Sequence, residues 1–324
     1  MGVTINTVLG PVQSSDLGLT LYHEHLKIAW LGWEMDPFND YDRKEAMRRS
    51  IEDMKELREL GVSTVIDPLP MGLGRDPEFH AEVASRSGIH LIISTGLDAE
   101  TRSMPPYFKV RSAKEIAAVY VHDLTKGLPG STVRAGVIKA ATGEGVVTES
   151  ETRAFRAAAK AALETSVPVV THTTHGTMGI EQAETMMREG LSPKKIVIGH
   201  CCFSKDLAYL RRIMDTGCSI GFDQIGSIEA DSDEARLERL LKLLDLGYTD
   251  RILMSQDSYC CIVGAPYERI KARMDRVWAH RHSYLIREFL PMMRRAGIGE
   301  KIITQMLVEN PRRLFEAPAK VSIA

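Results

Sequence analysis

Leu19-Thr20-Leu21-Tyr22-His23-Glu24-His25 is the stretch of this sequence that decides the fold. Its first four residues are typical of a buried β-strand, and two histidines follow, two positions apart. In an extended strand, residues i and i+2 point to the same face. The spacing therefore predicts that both imidazoles can reach one metal ion in front of the strand end. A histidine pair on a strand is as often a core or surface pair, so this interpretation depends on partners elsewhere in the chain.

Short apolar runs of strand length recur along the chain and form a set of eight: 19–25, 62–68, 90–96, 135–141, 167–173, 195–201, 218–224 and 251–257. Segments with helical periodicity lie between them, such as Tyr41 to Leu60, where apolar side chains form one stripe among Lys, Arg and Glu. The runs are too apolar for a sheet with one face exposed to solvent, and they alternate with helices. Both features favour parallel strands that are covered by helices. Eight such units predict an α/β fold, the (β/α)8 TIM barrel.

The ends of the chain are predicted to lie outside this repeat. Residues 1–18 are expected to form a short N-terminal strand extension or cap, 19–316 the barrel and 317–324 a tail. We find no internal linker, so a single domain over 1–324 is expected. Residues 258–283 form the longest loop-like stretch, and a long loop after the eighth strand is expected to cover the active site, with an ordinary surface insertion as the alternative.

Composition and charge argue against several classes of protein. The chain has 324 residues, of which 44% are hydrophobic, so it can bury a large core. It carries 41 Lys and Arg against 43 Asp and Glu, a net charge of -2, which gives no electrostatic reason to expect nucleic acid or an anionic membrane as a partner. We find no secretory leader and no apolar stretch near the roughly 20 residues of a membrane helix. A soluble, cytoplasmic protein is expected.

The five cysteines are a poor basis for disulfides, because four of them form two neighbouring pairs, Cys201-Cys202 and Cys260-Cys261. No C-x-x-C spacing indicates structural zinc. Free thiols are therefore predicted, with redox or metal use as the alternative. Cys201 or Cys202 could line a pocket, since both follow a candidate metal ligand.

Polar residues capable of chemistry stand at the C-terminal ends of the runs: His23, His25, Asp67, Thr95, Lys139, His172, His200, Asp223 and Asp257. In a barrel these ends converge on the face where catalytic groups lie. A lone histidine there is more often a satisfied core residue, but four at one face favour a metal site. Asp257 offers an oxygen ligand that could also accept a proton, with a helix cap or salt bridge as the alternative.

Lys139 lies within the apolar run Ala135 to Ala141. An ammonium group in that position would be costly unless it is paired or neutralised. Two explanations are open. The lysine either forms a salt bridge with a strand-end aspartate or is chemically modified into an anion.

The order of these residues resembles the amidohydrolase superfamily: H-x-H on the first run, Lys on the fourth, His on the fifth and sixth, and Asp on the eighth. Within that superfamily the phosphotriesterase family, and especially its phosphotriesterase-like lactonases, is most similar. The resemblance extends from about residue 8 to 316 and rests also on five further segments: Thr20 to Leu26, Val65 to Pro68, Met71 to Asp76, Ile196 to His200 and Glu309 to Phe315.

The resemblance implies a binuclear site with two divalent metal ions, zinc first, with cobalt, iron or manganese as alternatives. Carbon dioxide would carboxylate Lys139 into a carbamate that bridges the ions. His23, His25 and Asp257 would hold the more buried ion, and His172 and His200 the more exposed one. A metal-bridging hydroxide would attack the substrate, and Asp257 could carry the proton to the leaving oxygen. The family also implies a homodimer.

Three positions near the site depart from the family pattern. Asp98 stands where lactonases often carry a tyrosine. Phe203, with Cys201 and Cys202, follows His200 where the family usually has an acidic stretch. Gln224 stands where many lactonases place arginine and phosphotriesterases histidine. We predict that these residues help to line the substrate pocket together with two aromatic residues after the eighth run: Asp98, Phe203, Gln224, Tyr259 and Trp278.

The expected function is that of a metal-dependent hydrolase, and most simply a lactonase. Acyl-homoserine lactones or other γ/δ-lactones are the expected substrates, with weak phosphotriesterase and arylesterase activity. A dedicated phosphotriesterase or carboxylic-ester hydrolase is the alternative enzyme. A metal-holding barrel without turnover is the alternative from a different class. The expected partner is a small-molecule lactone or ester.

Overall fold

The computed structural model describes residues 2–227, 229, 231–264 and 282–320. Its first element is an antiparallel hairpin of β1 (Thr4–Thr7) and β2 (Gly10–Gln13). This hairpin confirms the predicted N-terminal strand extension. The proposed division into cap, barrel and tail stays a prediction.

Eight parallel strands form the central sheet, and their neighbours follow chain order. They are β3 (Leu19–Leu21), β5 (Val62–Asp67), β6 (His90–Gly96), β7 (Val137–Thr142), β8 (Val169–Thr173), β9 (Ile196–Ile198), β10 (Ser219–Phe222) and β11 (Ile252–Met254). Each of them lies inside one of the eight predicted runs or, for β7, extends one residue beyond it. The predicted (β/α)8 barrel is confirmed.

Helices follow the strands and cover the outside of the barrel. They are α1 (Arg43–Glu59), α2 (Pro77–Ser87), α3 (Pro106–Lys109), α4 (Ala113–Thr125), α5 (Glu149–Thr165), α6 (Gly179–Arg188), α7 (Leu207–Asp215), α8 (Asp233–Asp245), α9 (Leu290–Arg295), α10 (Glu300–Thr304) and α11 (Asn310–Glu316). Two π-helical turns, Leu285–Phe289 and Gln305–Glu309, lead into α9 and α11. Within the described part of the chain, the helices are too short or too polar to cross a lipid bilayer.

Local sequence explains where these helices begin and which face they bury. Asp42 caps α1 by accepting from the backbone N–H groups of Lys44 and Glu45, and Ser112 and Glu115 form a capping box at α4. Five of the six residues of the predicted apolar stripe are buried on α1: Ala46, Met47, Ile51, Met54 and Leu57. The sixth, Leu60, follows the helix as its C-cap and is half-buried. These helices therefore obey the 3.6-residue period of the sequence.

The seam between the first and last barrel strands corrects two expectations. The run 19–25 is not one continuous strand, because β3 ends at Leu21 and β4 (His25–Ala29) begins after a bend. The stretch 258–283 is not all loop, because β12 (Tyr259–Val263) pairs in parallel with β4. The physical reason is that the two chain segments stay hydrogen-bonded beyond the barrel, as in His25 N to Ser258 O at 2.7 Å. Residues 265–281 lie outside the described residues.

Alternate residues of the barrel strands face its interior and divide into an apolar lower layer and a polar upper layer. The lower layer is a buried cluster that includes Ile66, Ile92, Val137, Val170, Val197 and Leu253. Two positions further along β7 and β8, the same inward face carries Lys139 and His172. At the mouth, where the strands end, the inward face of the barrel therefore carries polar groups.

Candidate metal centre

The four histidines predicted as metal ligands lie side by side at this mouth. The ring centroids of His23 and His25 are 5.4 Å apart, those of His23 and His200 4.7 Å, and those of His172 and His200 4.4 Å. His23, His25 and His200 are buried, whereas His172 is partly exposed. Four imidazoles that lie on strands or directly after them thus share one small volume.

Lys139 and Asp257 complete the group. Lys139 Nζ lies 3.1 Å from His23 Nε2. The carboxylate of Asp257 lies 3.1 Å from His25 Nε2 and 3.8 Å from the Nε2 atoms of both His23 and His200. All six predicted ligands are therefore brought together, although they span residues 23 to 257 of the sequence.

Two of these residues have unusual backbones. His200 and Asp257 adopt left-handed conformations, with φ of 58° and 53°. For a residue other than glycine this costs about 1–2 kcal/mol and persists only where surrounding contacts enforce it. His200 N donates to Asp223 Oδ1 at 2.9 Å, and Asp257 N donates to His23 O at 3.1 Å. The chain is thus held in a turn at the point where each side chain joins the group.

Asp67 fixes the orientation of His25. Its Oδ1 lies 2.7 Å from His25 Nδ1, while its Oδ2 lies 2.8 Å from His80 Nε2 and accepts from Leu26 N at 3.0 Å. Burial raises the pKa of Asp67, but His25 and His80 outweigh burial and hold it far below the usual value. With Nδ1 donating to this carboxylate, His25 presents Nε2 to the centre, as metal-binding histidines do.

Asp223 orients two histidine rings in the same way, those of His23 and His200. Its Oδ1 lies 3.1 Å from His200 Nδ1, and its Oδ2 lies 3.2 Å from His23 Nδ1, off the line of a good hydrogen bond. Tyr22 Oη also donates to Asp223. Gly221 makes this approach possible, since a Cβ there would lie 1.8 Å from Tyr22 Oη. Asp223 therefore orients the Nε2 atoms of His23 and His200 toward Asp257.

Glu24, between the two histidines of the first run, stabilises the seam. It accepts from Ser255 Oγ at 2.6 Å, Gln256 N at 2.9 Å and Ser258 N at 2.8 Å. Burial raises its pKa to about 7. The supporting roles of Asp67, Asp223 and Glu24 were missed by the sequence prediction, although the first two were noted at strand ends and Glu24 lies inside the H-x-H motif.

Burial disfavours the ammonium form of Lys139, whereas the charge of Asp257 favours it. Burial is the largest effect and lowers the pKa of Lys139 to about 8, and Arg102 also lowers it. Among the described residues, no carboxylate oxygen lies within the 4.0 Å of an ion pair with Nζ. The salt bridge considered as one explanation for this lysine is therefore not found in the described part of the chain. A neutral amine is the form that can react with carbon dioxide.

The donor set fits divalent metal ions. Imidazole nitrogens and carboxylate oxygens suit zinc and its neighbours among the transition metals. Donor atoms of His23, His200 and Asp257 all lie within 4.8 Å of one another. Burial lowers the pKa of His23 to about 3, so its ring is neutral and has a lone pair available. Burial raises the pKa of Asp257, but His23 and His200 lower it to about 2, so this carboxylate is ionised.

The predicted pocket residue Asp98 is fully buried, and its carboxylate is hydrogen-bonded to neighbouring side chains. It accepts from Arg102 Nε at 2.7 Å and from Ser103 Oγ at 2.6 Å. The charge of Arg102 lowers the pKa of both Lys139 and His172, after the larger effect of burial. Asp98 therefore positions Arg102 near the centre. The sequence analysis did not predict this pair, because residues 97–103 form a loop and a turn in which spacing alone does not bring acid and base together.

Gln224 lies beside the ligands, and its amide Nε2 donates to Asp257 Oδ2. Its Oε1 is buried and has no hydrogen-bond partner among the described residues. Phe203 ends the short turn Cys201–Phe203, and its ring lies 6.1 Å from that of His175. Tyr259 pairs with His25 across β12 and β4. Trp278 lies outside the described residues, so its predicted place in the pocket stays a prediction.

The cysteines play no part in this geometry. All five lie in the described part of the chain and none forms a disulfide, in agreement with the sequence analysis. Cys201 and Cys202 are fully buried, and their sulfur atoms contact backbone at Ile198 O and Gln224 N. Both belong to the hydrophobic core.

Replacing Asp67 by asparagine is expected to weaken metal retention by about 10–100-fold, because the amide keeps the shape but removes the charge that orients His25. The measurement is ions per chain after dialysis against graded chelator. His80→Asn is the matched control, since His80 touches the same carboxylate from the other side. An Asp67→Asn protein that retains metal like wild type would contradict this role.

Comparison with known proteins gives consistent results. The model of the phosphotriesterase family matches residues 3–315. An aryldialkylphosphatase from Saccharolobus solfataricus is 34% identical over 307 residues, covering 94% of this chain and 96% of that protein. A phospho-furanose lactonase from Mycoplasmopsis synoviae is 29% identical, with 95% and 90% covered. The structure of an organophosphorus hydrolase from Deinococcus radiodurans superposes with a TM-score of 0.91 at 36% identity, with 97% of each chain covered.

Proposed function

Because this chain belongs to the phosphotriesterase family, we propose that it is a lactonase with a binuclear metal centre, acting on acyl-homoserine lactones or other γ/δ-lactones. The chain is a hydrolytic enzyme related to both phosphotriesterases and lactonases. Weak phosphotriesterase and arylesterase activity are part of the proposal. So are zinc as the ion, a homodimer and a cytoplasmic location.

The observation that carries the proposal is the convergence of six donors on one barrel mouth: His23, His25, Lys139, His172, His200 and Asp257. We assign His23, His25 and Asp257 to the more buried ion. His172 and His200 would hold the other ion, in keeping with the partial exposure of His172. Lys139, if carboxylated by carbon dioxide, would supply an anionic ligand to both ions in place of a buried ammonium group.

When bound, divalent ions lower the pKa of water and stabilise the charge that develops on a carbonyl or phosphoryl oxygen. The protein's own part is orientation and proton transfer. Asp67 and Asp223 hold the rings of His25 and His200 in place. Asp257, ionised and beside those rings, accepts a proton from water and donates it to the leaving oxygen. Ring opening of a lactone then yields one hydroxy acid, since the leaving oxygen stays tethered.

The loop that follows β4 at the barrel mouth favours a substrate with an apolar group. Leu31, Met35 and Phe38 follow β4 and leave 57%, 87% and 90% of their surfaces exposed. Exposed large apolar side chains in one short segment are typical of a binding surface. This segment suits an acyl chain or an aryl group. The lactonase from Mycoplasmopsis synoviae among the relatives supports the choice of a lactone.

The proposal is tested by measuring kcat/KM for γ- and δ-lactones of increasing acyl length, for paraoxon and for aryl esters. We expect the best lactone to exceed the other classes by at least about 10-fold, or about 1.4 kcal/mol in transition-state binding. Protein reconstituted with metal and protein stripped by chelator are assayed together, so that background hydrolysis is subtracted. Inactivity on every lactone would refute the substrate assignment.

A dedicated phosphotriesterase or carboxylic-ester hydrolase is the second candidate. The names of the relatives from Saccharolobus solfataricus and Deinococcus radiodurans favour it. Turnover of paraoxon or aryl esters without turnover of lactones would establish it. If fully metallated protein hydrolysed none of the panel, a barrel that holds metal without turnover would be the better description.

A further inference from the structure

A second group of metal-binding side chains lies outside the candidate metal centre. It consists of Asp53 on α1, Cys260 on β12 and His282, which we call the Asp-Cys-His cluster. One donor atom from each lies within 4.8 Å of the other two. Cys260 and His282 are 2% and 1% exposed, and the side chain of Asp53 is 13% exposed. The cluster is thus buried, with a narrow edge near solvent at Asp53.

The spacing of these donors matches one tetrahedral ion. Zinc binds sulfur at about 2.3 Å and nitrogen or oxygen at about 2.0–2.2 Å, which places N and O donors about 3.4 Å apart and sulfur about 3.6 Å from either. Here His282 Nδ1 lies 3.3 Å from Asp53 Oδ2, and Cys260 Sγ lies 3.6 Å from the same oxygen. The sulfur lies 4.0 Å from His282 Nδ1, slightly beyond the ideal edge.

The hydrogen bond on the other side of the His282 ring fixes which nitrogen carries hydrogen. His282 Nε2 lies 3.1 Å from the backbone oxygen of His25, and a carbonyl oxygen can only accept. Nε2 therefore donates, and in the neutral ring Nδ1 presents a lone pair to Asp53 and Cys260. Metal-binding histidines are oriented in this way. A lone pair facing a carboxylate oxygen at 3.3 Å calls for a cation or a proton between them.

We propose that Asp53, Cys260 and His282 bind a structural zinc ion, separate from the candidate metal centre. Thiolate, imidazole and carboxylate together suit a borderline-soft divalent ion such as zinc. Binding deprotonates the Cys260 thiol and releases that proton to solvent. Three protein donors leave the fourth tetrahedral position to a water molecule.

Such an ion would join three parts of the chain that are distant in sequence. It links helix α1, strand β12 and the segment at His282, whose ring also holds the backbone of His25. Strand β12 pairs with β4, which begins at His25. The ion would therefore stabilise the seam of the barrel behind a proposed ligand of the other centre, because its binding free energy adds to that of folding.

Cobalt substitution tests the proposal on the full-length protein. The candidate metal centre uses nitrogen and oxygen donors, so a thiolate-to-cobalt charge-transfer absorption in the near ultraviolet reports only on a cysteine ligand. We expect this absorption in wild type and its loss in Cys260→Ser, with about one bound ion per chain fewer by mass spectrometry. Cys261→Ser is the matched control, because Cys261 Sγ contacts Leu26 O and lies outside the cluster.

Two results would overturn the proposed zinc site. Wild-type protein that is saturated with cobalt but lacks thiolate absorption would overturn the proposal without any variant, even if Cys260→Ser fails to fold. Absorption that survives in Cys260→Ser and disappears in Cys261→Ser would overturn it as well. An absent band would instead indicate a protonated His282 paired with Asp53. Asp53→Asn is expected to weaken cobalt binding while keeping the absorption at high cobalt concentration.

Discussion

Replacement of Lys139 by alanine is expected to lower kcat/KM by about 10³-fold or more, the equivalent of several kcal/mol of transition-state stabilisation. The variant removes the proposed bridge between the ions and leaves the six-donor set incomplete. The measurements are kcat/KM on the best substrate and ions per chain, after folding has been verified by circular dichroism. Carbon-13 NMR of wild type in labelled bicarbonate is expected to show a carbamate resonance that Lys139→Ala lacks.

Lys195 offers a matched control at the opposite end of the barrel. It is also a buried lysine whose pKa is lowered to about 8 by burial, but its Nζ donates to Phe315 O at 2.6 Å. Lys195→Met is expected to cost about 1–3 kcal/mol of stability, because a buried carbonyl loses its partner, and to leave kcat/KM of the folded protein unchanged. Full activity of Lys139→Ala would refute the proposed mechanism.

Replacement of Asp257 by asparagine is expected to lower kcat by about 10²–10⁴-fold, the usual contribution of a positioned proton-transfer group. Asparagine keeps the shape of the side chain but cannot accept the proton of water. If Asp257 delivers that proton to the leaving oxygen, the loss is greater for alkyl leaving groups, as in lactones, than for a nitrophenyl ester. The measurement is kcat for both substrate types at saturating metal.

Asp123→Asn is the control for this variant. Asp123 is a buried carboxylate on α4 that accepts from Thr95 Oγ1 at 2.7 Å and pairs with Arg75, away from the proposed ligands. Its replacement is expected to reduce stability without separating the two substrate types. Equal losses for both leaving groups in Asp257→Asn, with reduced metal content, would assign Asp257 to metal binding alone.

Much of the barrel could be predicted because strand and helix signals are local. Apolar runs such as Val62 to Asp67 and the stripe on α1 depend on neighbours within a few residues. The join between first and last strands could not be predicted in the same way. The break after Leu21 and the pairing of β12 with β4 depend on two segments more than 200 residues apart.

The candidate ligands were also accessible from sequence, for a topological reason. In a parallel barrel every strand ends on the same face, so Lys139, His172 and Asp257 become neighbours whatever the loops do. The supports of these ligands were not accessible. Asp67 contacts His25, which is 42 residues away in the sequence. Asp223 contacts His23 and His200, and these contacts form only when the chain has folded.

By itself, the sequence predicted the eight barrel strands, the candidate ligands and their common face, because periodicity and strand ends are properties of the chain. Only the tertiary structure decided which nitrogen each histidine presents, that Asp98 supports Arg102, and that Asp53, Cys260 and His282 meet. These outcomes depend on distances of a few ångströms between remote segments. Hydrogen bonds and metal ligation act only at such distances, so packing rather than local pattern determines them.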